Sequence, residues 1–138
     1  MNVKVITIDF WNTLFTSDSG SLRNSARNKV FIDTINDLGI SFNAELLDEV
    51  VKKSWEYYNN IWINEVRTPS TFEIINYLWE KIDLPKNAKA IDYLVDFFEK
   101  SILYFPPKLQ PNARFAIENL SKKFNLAIIS DTDRKSVV

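Results

Sequence analysis

Two short, β-branched apolar runs stand near opposite ends of this chain, and each stops abruptly at polar residues. The first, built on Val3, Val5, Ile6 and Ile8, gives way to Asp9 and then to Asn12 and Thr13. The second, Leu126-Ala127-Ile128-Ile129, gives way to Ser130. Runs of this length and apolarity are expected of parallel strands buried on both faces. Parallel neighbours need a crossover, and a helical pattern from about Asn112 to Lys123 leads directly into the second run. The two ends of the chain therefore read as one β-α-β unit. Open α/β sheets place their chemistry outside the carboxyl ends of the strands, so Asp9 and Ser130 are expected to converge at one sheet edge. Asp9 also has a plainer reading as a turn former. The matching grammar of the far strand tips the balance toward a site.

Between the runs the pattern is helical. A polar loop from Thr16 to Ser21 leads into a helix of about Leu22–Leu38, with Gly39 as its stop. A second helix is expected from about Asn43 to Glu65, carrying Leu46, Leu47, Val50, Val51, Trp55, Tyr58, Ile61 and Trp62 at helical spacing. Ser70 and Glu73 form an S-x-x-E capping box ahead of Ile74, Ile75, Leu78, Trp79 and Ile82, and Pro85 ends that third helix. A fourth runs from about Asn87, with Ile91, Leu94, Val95, Phe98 and Ile102 inward. Pro106, Pro107 and Pro111 then enforce an extended connector. The expected organisation is an α/β core of residues 1–14 and 106–138, with a bundle-like unit of four helices, 15–105, inserted after the first strand. The aromatics of that unit read as core, because a stripe at helical spacing is usually buried. Arg23, Arg27 and Arg67 read as solvated, with a lesser expectation that one reaches a substrate anion.

Composition narrows the chemistry. The 138 residues are 46% hydrophobic and 14% aromatic, ample for a core and unlike a disordered chain. There is no cysteine and no histidine, which removes disulfides, thiolate metal sites and Ser-His or Cys-His catalysis. Any catalysis falls to carboxylates, hydroxyls, Lys, Arg or backbone dipoles. A net charge of -1 with dispersed Lys and Arg gives no nucleic-acid or membrane footprint. No apolar run reaches the ~18 residues of a membrane span and no signal-type segment opens the chain. The default expectation is a soluble, cytoplasmic protein, and the absence of Cys beside plentiful Lys, Ile and Asn hints at a thermophilic source.

These residues resemble the haloacid dehalogenase superfamily. Its first motif, a strand ending in D-x-D-x-T-L or a variant, reads here Asp9-Phe10-Trp11-Asn12-Thr13-Leu14. Its second, a strand ending in Ser or Thr, reads Leu126-Ala127-Ile128-Ile129-Ser130, and the helical insert with its proline hinge matches the family's cap. The resemblance implies a truncated Rossmann-like core of two recognisable parallel strands with a four-helix cap after the first. It implies a hydrolase acting on a small anionic substrate, a 2-haloacid or a phosphate ester. Asp9 would be the nucleophile and Ser130 would bind the anion. Thr13 would order the loop, and the Trp11 and Asn12 backbone would face the substrate. Backbone N–H groups in a tight turn make an anion-binding concavity on independent grounds.

Two departures shape the expectation. Trp11 stands where the family's phosphatases carry a second aspartate that protonates the leaving alkoxide, and indole cannot do this. An aromatic there matches the dehalogenases, whose halide needs no proton. The family's third motif (Lys or Arg) and fourth (acidic) lie downstream of Ser130, where this sequence reaches Val138. The implied Mg²⁺ site is therefore incomplete, reduced to Asp9 and the Trp11 carbonyl with Asp131 and Asp133 as substitutes; a dehalogenase-like chain needs no cofactor. A two-stranded sheet has open edges, so a homo-oligomer, an exchanged segment or a longer polypeptide is expected to cover them. The alternative is a non-catalytic remnant of the family whose helices serve as an interaction or assembly module.

Overall fold

The structure, a computed structural model, describes residues 4–130. It is α/β, with two strands and five helices: β1 (Val5–Asp9), α1 (Gly20–Asp37), α2 (Ala44–Glu65), α3 (Thr71–Lys81), α4 (Ala88–Tyr104), α5 (Ala113–Ser121) and β2 (Asn125–Ile129). The strands pair in parallel, Val5 opposite Asn125 through Asp9 opposite Ile129, with α5 in the connection that returns the chain to β2. This is the expected β-α-β unit with four helices ahead of its crossover. Val3, expected in the first strand, and Asp131 and Asp133, expected as substitute metal ligands, lie outside the described residues.

Local chemistry explains where the helices start and stop. Gly39, at φ +70°, closes α1, with its N–H on the Asn36 carbonyl and the Ile40 N–H on the Ile35 carbonyl. This is the paired arrangement that a left-handed residue after a helix permits. Asn43 caps α2 and Asn87 caps α4 through side-chain oxygens that accept from Glu45 N–H and Ala90 N–H. Ser70 and Glu73 cap α3 reciprocally: the Ser70 hydroxyl oxygen accepts from Glu73 N–H, and the Glu73 carboxylate accepts from Ser70 N–H. Each such cap satisfies donors that a helix N-terminus leaves unpaired, worth about 1 kcal/mol.

The main core lies within α1–α4. Phe31, Ile35, Leu47, Val50, Ile75, Leu78, Trp79 and Leu94 are buried there as one cluster. Helix α1 packs on α4, α4 on α3, and α3 on α2, so spatial order departs from chain order. The Trp79 indole N–H donates to the Pro85 carbonyl at 3.0 Å, giving a buried ring its polar partner.

Two expectations need correction. The strands are not buried on both faces: Val5 is 52% exposed, Ile128 61% and Ile129 60%. Among the described residues α5 packs against this sheet through β2, and one short helix cannot cover two faces. The aromatic stripe is also only partly core. Trp79 is buried, whereas Phe72 at the start of α3 is exposed; Trp55 and Trp62 are exposed because α2 turns Leu47, Val50, Ser54 and Ile61 inward and leaves the flanking positions outside.

Candidate active site

Asp9 is the last residue of β1, and its register partner is Ile129, the last residue of β2. Ser130 thus leaves the sheet at the same edge as Asp9, half-buried beside it. The parallel register alone brings these two sequence-distant groups to one end of the sheet.

Beyond Asp9 the chain makes a tight turn. Leu14 N–H and Phe15 N–H both donate to the Phe10 carbonyl, at 3.0 and 3.1 Å, so the second bond spans five residues in the manner of a π-turn. Asn12 sits at φ 57°, a left-handed conformation that Asn tolerates better than most residues. The turn is tied from outside: the Ser17 hydroxyl donates to Asn12 Oδ1 at 2.7 Å, and the Gln110 side-chain amide donates to the Asn12 carbonyl at 3.2 Å. The backbone of 108–110 braces it further, with Gln110 N–H on the Leu14 carbonyl and Thr16 N–H on the Lys108 carbonyl. Phe10 and Phe15 stack at 4.7 Å, and Trp11 meets Phe10 edge-on at 5.0 Å.

The Thr13 hydroxyl donates to Asp9 Oδ2 at 3.2 Å. Asp9 is exposed, and its Oδ1 has no hydrogen-bond partner among the described residues, leaving lone pairs open at the sheet edge. The turn's donors differ from expectation in one respect. Asn12 N–H is taken by the Phe15 carbonyl at 2.7 Å, so it does not face an anion. Thr13 N–H meets no acceptor among the described residues and is the donor the turn leaves open. Ser17 and Gln110 were not singled out as site residues. Gln110, the one glutamine in the chain, standing in the proline connector, was the signal for the latter.

Arg67 and Arg27 are engaged within the helical unit. Arg67 forms a two-pronged pair with Glu73 and a second contact with Glu65. Arg27 ties α1 to α4, its Nε donating to Ser101 Oγ at 2.9 Å and Nη2 to the Phe98 carbonyl at 2.8 Å. No group of three or more His, Cys, Asp or Glu that could hold a metal occurs among the described residues. Asp9 and the Trp11 carbonyl would supply two of the about six oxygens that Mg²⁺ takes, and that donor set does not fit the ion.

A strand ending in Asp9 and a parallel strand followed at once by Ser130, with helices inserted between them, make an α/β fold similar to that of haloacid dehalogenase-like proteins. Among solved structures, it is similar to a haloacid dehalogenase-like family hydrolase from Xanthomonas campestris, with 14% identity and a TM-score of 0.50. The match covers 99% of this chain and 54% of that one, so this chain spans about half the length of the hydrolase. At such identity the likeness is one of fold. No protein-family model matches the sequence, and no curated protein does. No helix among the described residues is long and apolar enough to cross a membrane.

Proposed function

We propose that this chain carries the nucleophile half of a hydrolase site for a small anionic substrate, with the helices of residues 15–105 acting as its cap. The observation that supports this reading is the pairing of Asp9 with Ile129, which delivers an open carboxylate and the Ser130 hydroxyl to one sheet edge. In the reaction proposed, an Asp9 oxygen attacks C2 of a 2-haloacid, a C–O bond forms, the C–halogen bond breaks and halide departs with the bonding pair. Water then attacks the Asp9 carboxyl carbon and the ester C–O bond to the substrate breaks, releasing the 2-hydroxyacid, restoring the carboxylate and giving up one proton to solvent. Thr13 positions Asp9 through its hydroxyl, and Thr13 N–H and Ser130 hold the substrate anion. With a phosphate ester the same oxygen attacks phosphorus instead, but the departing alkoxide then needs a proton that Trp11 cannot give. Trp11 therefore favours substrates whose leaving group needs none, a halide or an acyl phosphate. No step is routed through a metal.

The test compares wild type with Asp9→Asn on 2-chloropropionate and p-nitrophenyl phosphate, each with and without Mg²⁺. Halide release by wild type and none by the variant is the expected result. Equal silence of both proteins on every substrate would overturn the enzymatic reading and leave a non-catalytic module.

A further inference from the structure

A cavity of about 380 Å³ opens within the helical unit, far from either strand in the chain. It lies where the first half of α1 faces the middle of α2, two helices joined mainly through α4 and α3. None of its lining residues comes from the 10–17 turn, from β1 or from β2, and none is acidic. Its volume falls in the range of about 300–1,000 Å³ typical of small-molecule sites.

The cavity has one cationic group, and its chemistry is unusual. Arg27 is half-buried and has no carboxylate partner among the described residues. Its two bonds to Phe98 and Ser101 and the Phe98 ring 5.2 Å beneath it fix the guanidinium plane. Nη1 has no hydrogen-bond partner among the described residues, yet it is not sealed off from solvent. Burial, with Arg23 one turn earlier on α1, lowers the Arg27 pKa to about 10. A desolvated charge without a counter-ion is costly, and an anion delivered to it recovers that cost. A rigid guanidinium fork suits carboxylate or phosphate oxygens in particular. Asn24 and Asn28, three residues before and one after, add amide donors on the same side of α1. The rest of the lining mixes the apolar Val51, Ile74 and Leu78 with the hydroxyls of Ser54, Thr68 and Thr71, and it includes Trp55 and Tyr58, whose ring centroids are 6.0 Å apart. Trp55 is 58% exposed, an indole presented to whatever enters.

We propose that this cavity binds a small organic anion, a carboxylate or phosphate head held by Arg27 with an aromatic or apolar body lying against Trp55 and Tyr58. The site is independent of Asp9. Arg27 also joins α1 to α4, so its removal confounds binding with stability, and the decisive variant is Trp55→Ala at the exposed rim.

Titration calorimetry with phenylacetate, phenyl phosphate, phenylacetamide and inorganic phosphate tests the proposal. Expected are binding of at least one aromatic anion and at least about tenfold weaker binding of both the neutral amide and bare phosphate. Trp55→Ala should weaken the anion about tenfold at unchanged thermal midpoint, and Asp9→Asn should leave its affinity unchanged. Whether phenylacetate or phenyl phosphate binds more tightly assigns the head group. Failure of both aromatic anions to bind at about 10 mM overturns the site. Equal affinity for phenylacetamide overturns the role of Arg27. Binding lost in Asp9→Asn, or untouched by Trp55→Ala, places the anion elsewhere and overturns the location.

Discussion

The hydroxyl of Thr13 donates to Asp9 Oδ2 at 3.2 Å, across the turn that follows β1. The bond fixes one carboxylate oxygen and leaves the other facing the sheet edge. In the proposed reaction its loss frees the carboxylate to rotate away from the attack direction, and small misplacements of a reacting group cost about 10- to 100-fold in rate. Thr13→Val, nearly isosteric, is expected to lower kcat for halide release from 2-chloropropionate by that factor, while Thr13→Ser keeps most of it. Steady-state kinetics on the two variants decides the matter. A Thr13→Val enzyme as fast as wild type would remove Thr13 from any positioning role.

Val66 ends α2 in a left-handed conformation, φ 53° and ψ 39°, and its side chain is among the most exposed in the protein. A β-branched residue there crowds its own backbone at about 1–2 kcal/mol, and nothing is gained from burial. Glycine adopts the conformation freely. Val66→Gly is therefore expected to raise stability by about 1 kcal/mol, visible as a higher urea midpoint at unchanged slope. Destabilisation of similar size would mean that the valine side chain contributes something its exposure hides.

Glu73 accepts two bonds from the Arg67 guanidinium, one from Ser70 N–H and one from the Ser70 hydroxyl, and its pKa falls to about 2, with Arg67 the larger cause. The unfolded chain titrates the same carboxyl near about 4.3. Folded protein thus stays ionised where the unfolded chain takes up a proton, so this contribution is present above the unfolded value. It is lost as pH falls from about 5 toward 2. Solvent screening of a partly exposed pair limits it to about 1 kcal/mol. Glu73→Gln should flatten the acid limb of the stability–pH profile by that amount over this window and change little slope above pH 6. An unchanged acid limb in Glu73→Gln would assign the acid sensitivity to other carboxylates.

The capping box at Ser70 and the stop at Gly39 were legible because each is a local bargain between neighbours in sequence. The order of elements was legible for the same reason, since each strand and helix has its own period. Arg27 was not: its partners Phe98 and Ser101 are 71 and 74 residues away, and nothing in the spacing of α1 marks a charge that will be half-buried. The Asn12 backbone was expected to face a substrate anion, but whether its N–H is free depends on Phe15 folding back three residues later. Trp55 and Trp62 looked like core because helical spacing reveals a stripe without revealing how wide a stripe the partner helix covers. The strands misled in a related way. An apolar run reports what a strand is suited to be buried by, and whether a layer covers it depends on elements distant in sequence.

That mismatch makes a prediction about local stability. The ladder from Val5/Asn125 to Asp9/Ile129 is short, and Val5, Thr7, Ala127, Ile128 and Ile129 are all exposed. Leu94 in α4 and Ile35 in α1, by contrast, are fully buried in the helical core. Backbone bonds opened by local fluctuation exchange their hydrogens without global unfolding, and such openings need least energy where little apolar surface is lost. Amides of β1 and β2 in this chain should exchange at least about 100-fold faster than those around Ile35 and Leu94. Raising the protein concentration tests what covers the sheet. Protection that climbs with concentration at the strands alone means that a second copy lies on them. Strand protection equal to that of α4 in dilute solution would show that the sheet is stabilised by something other than the packing seen in residues 4–130.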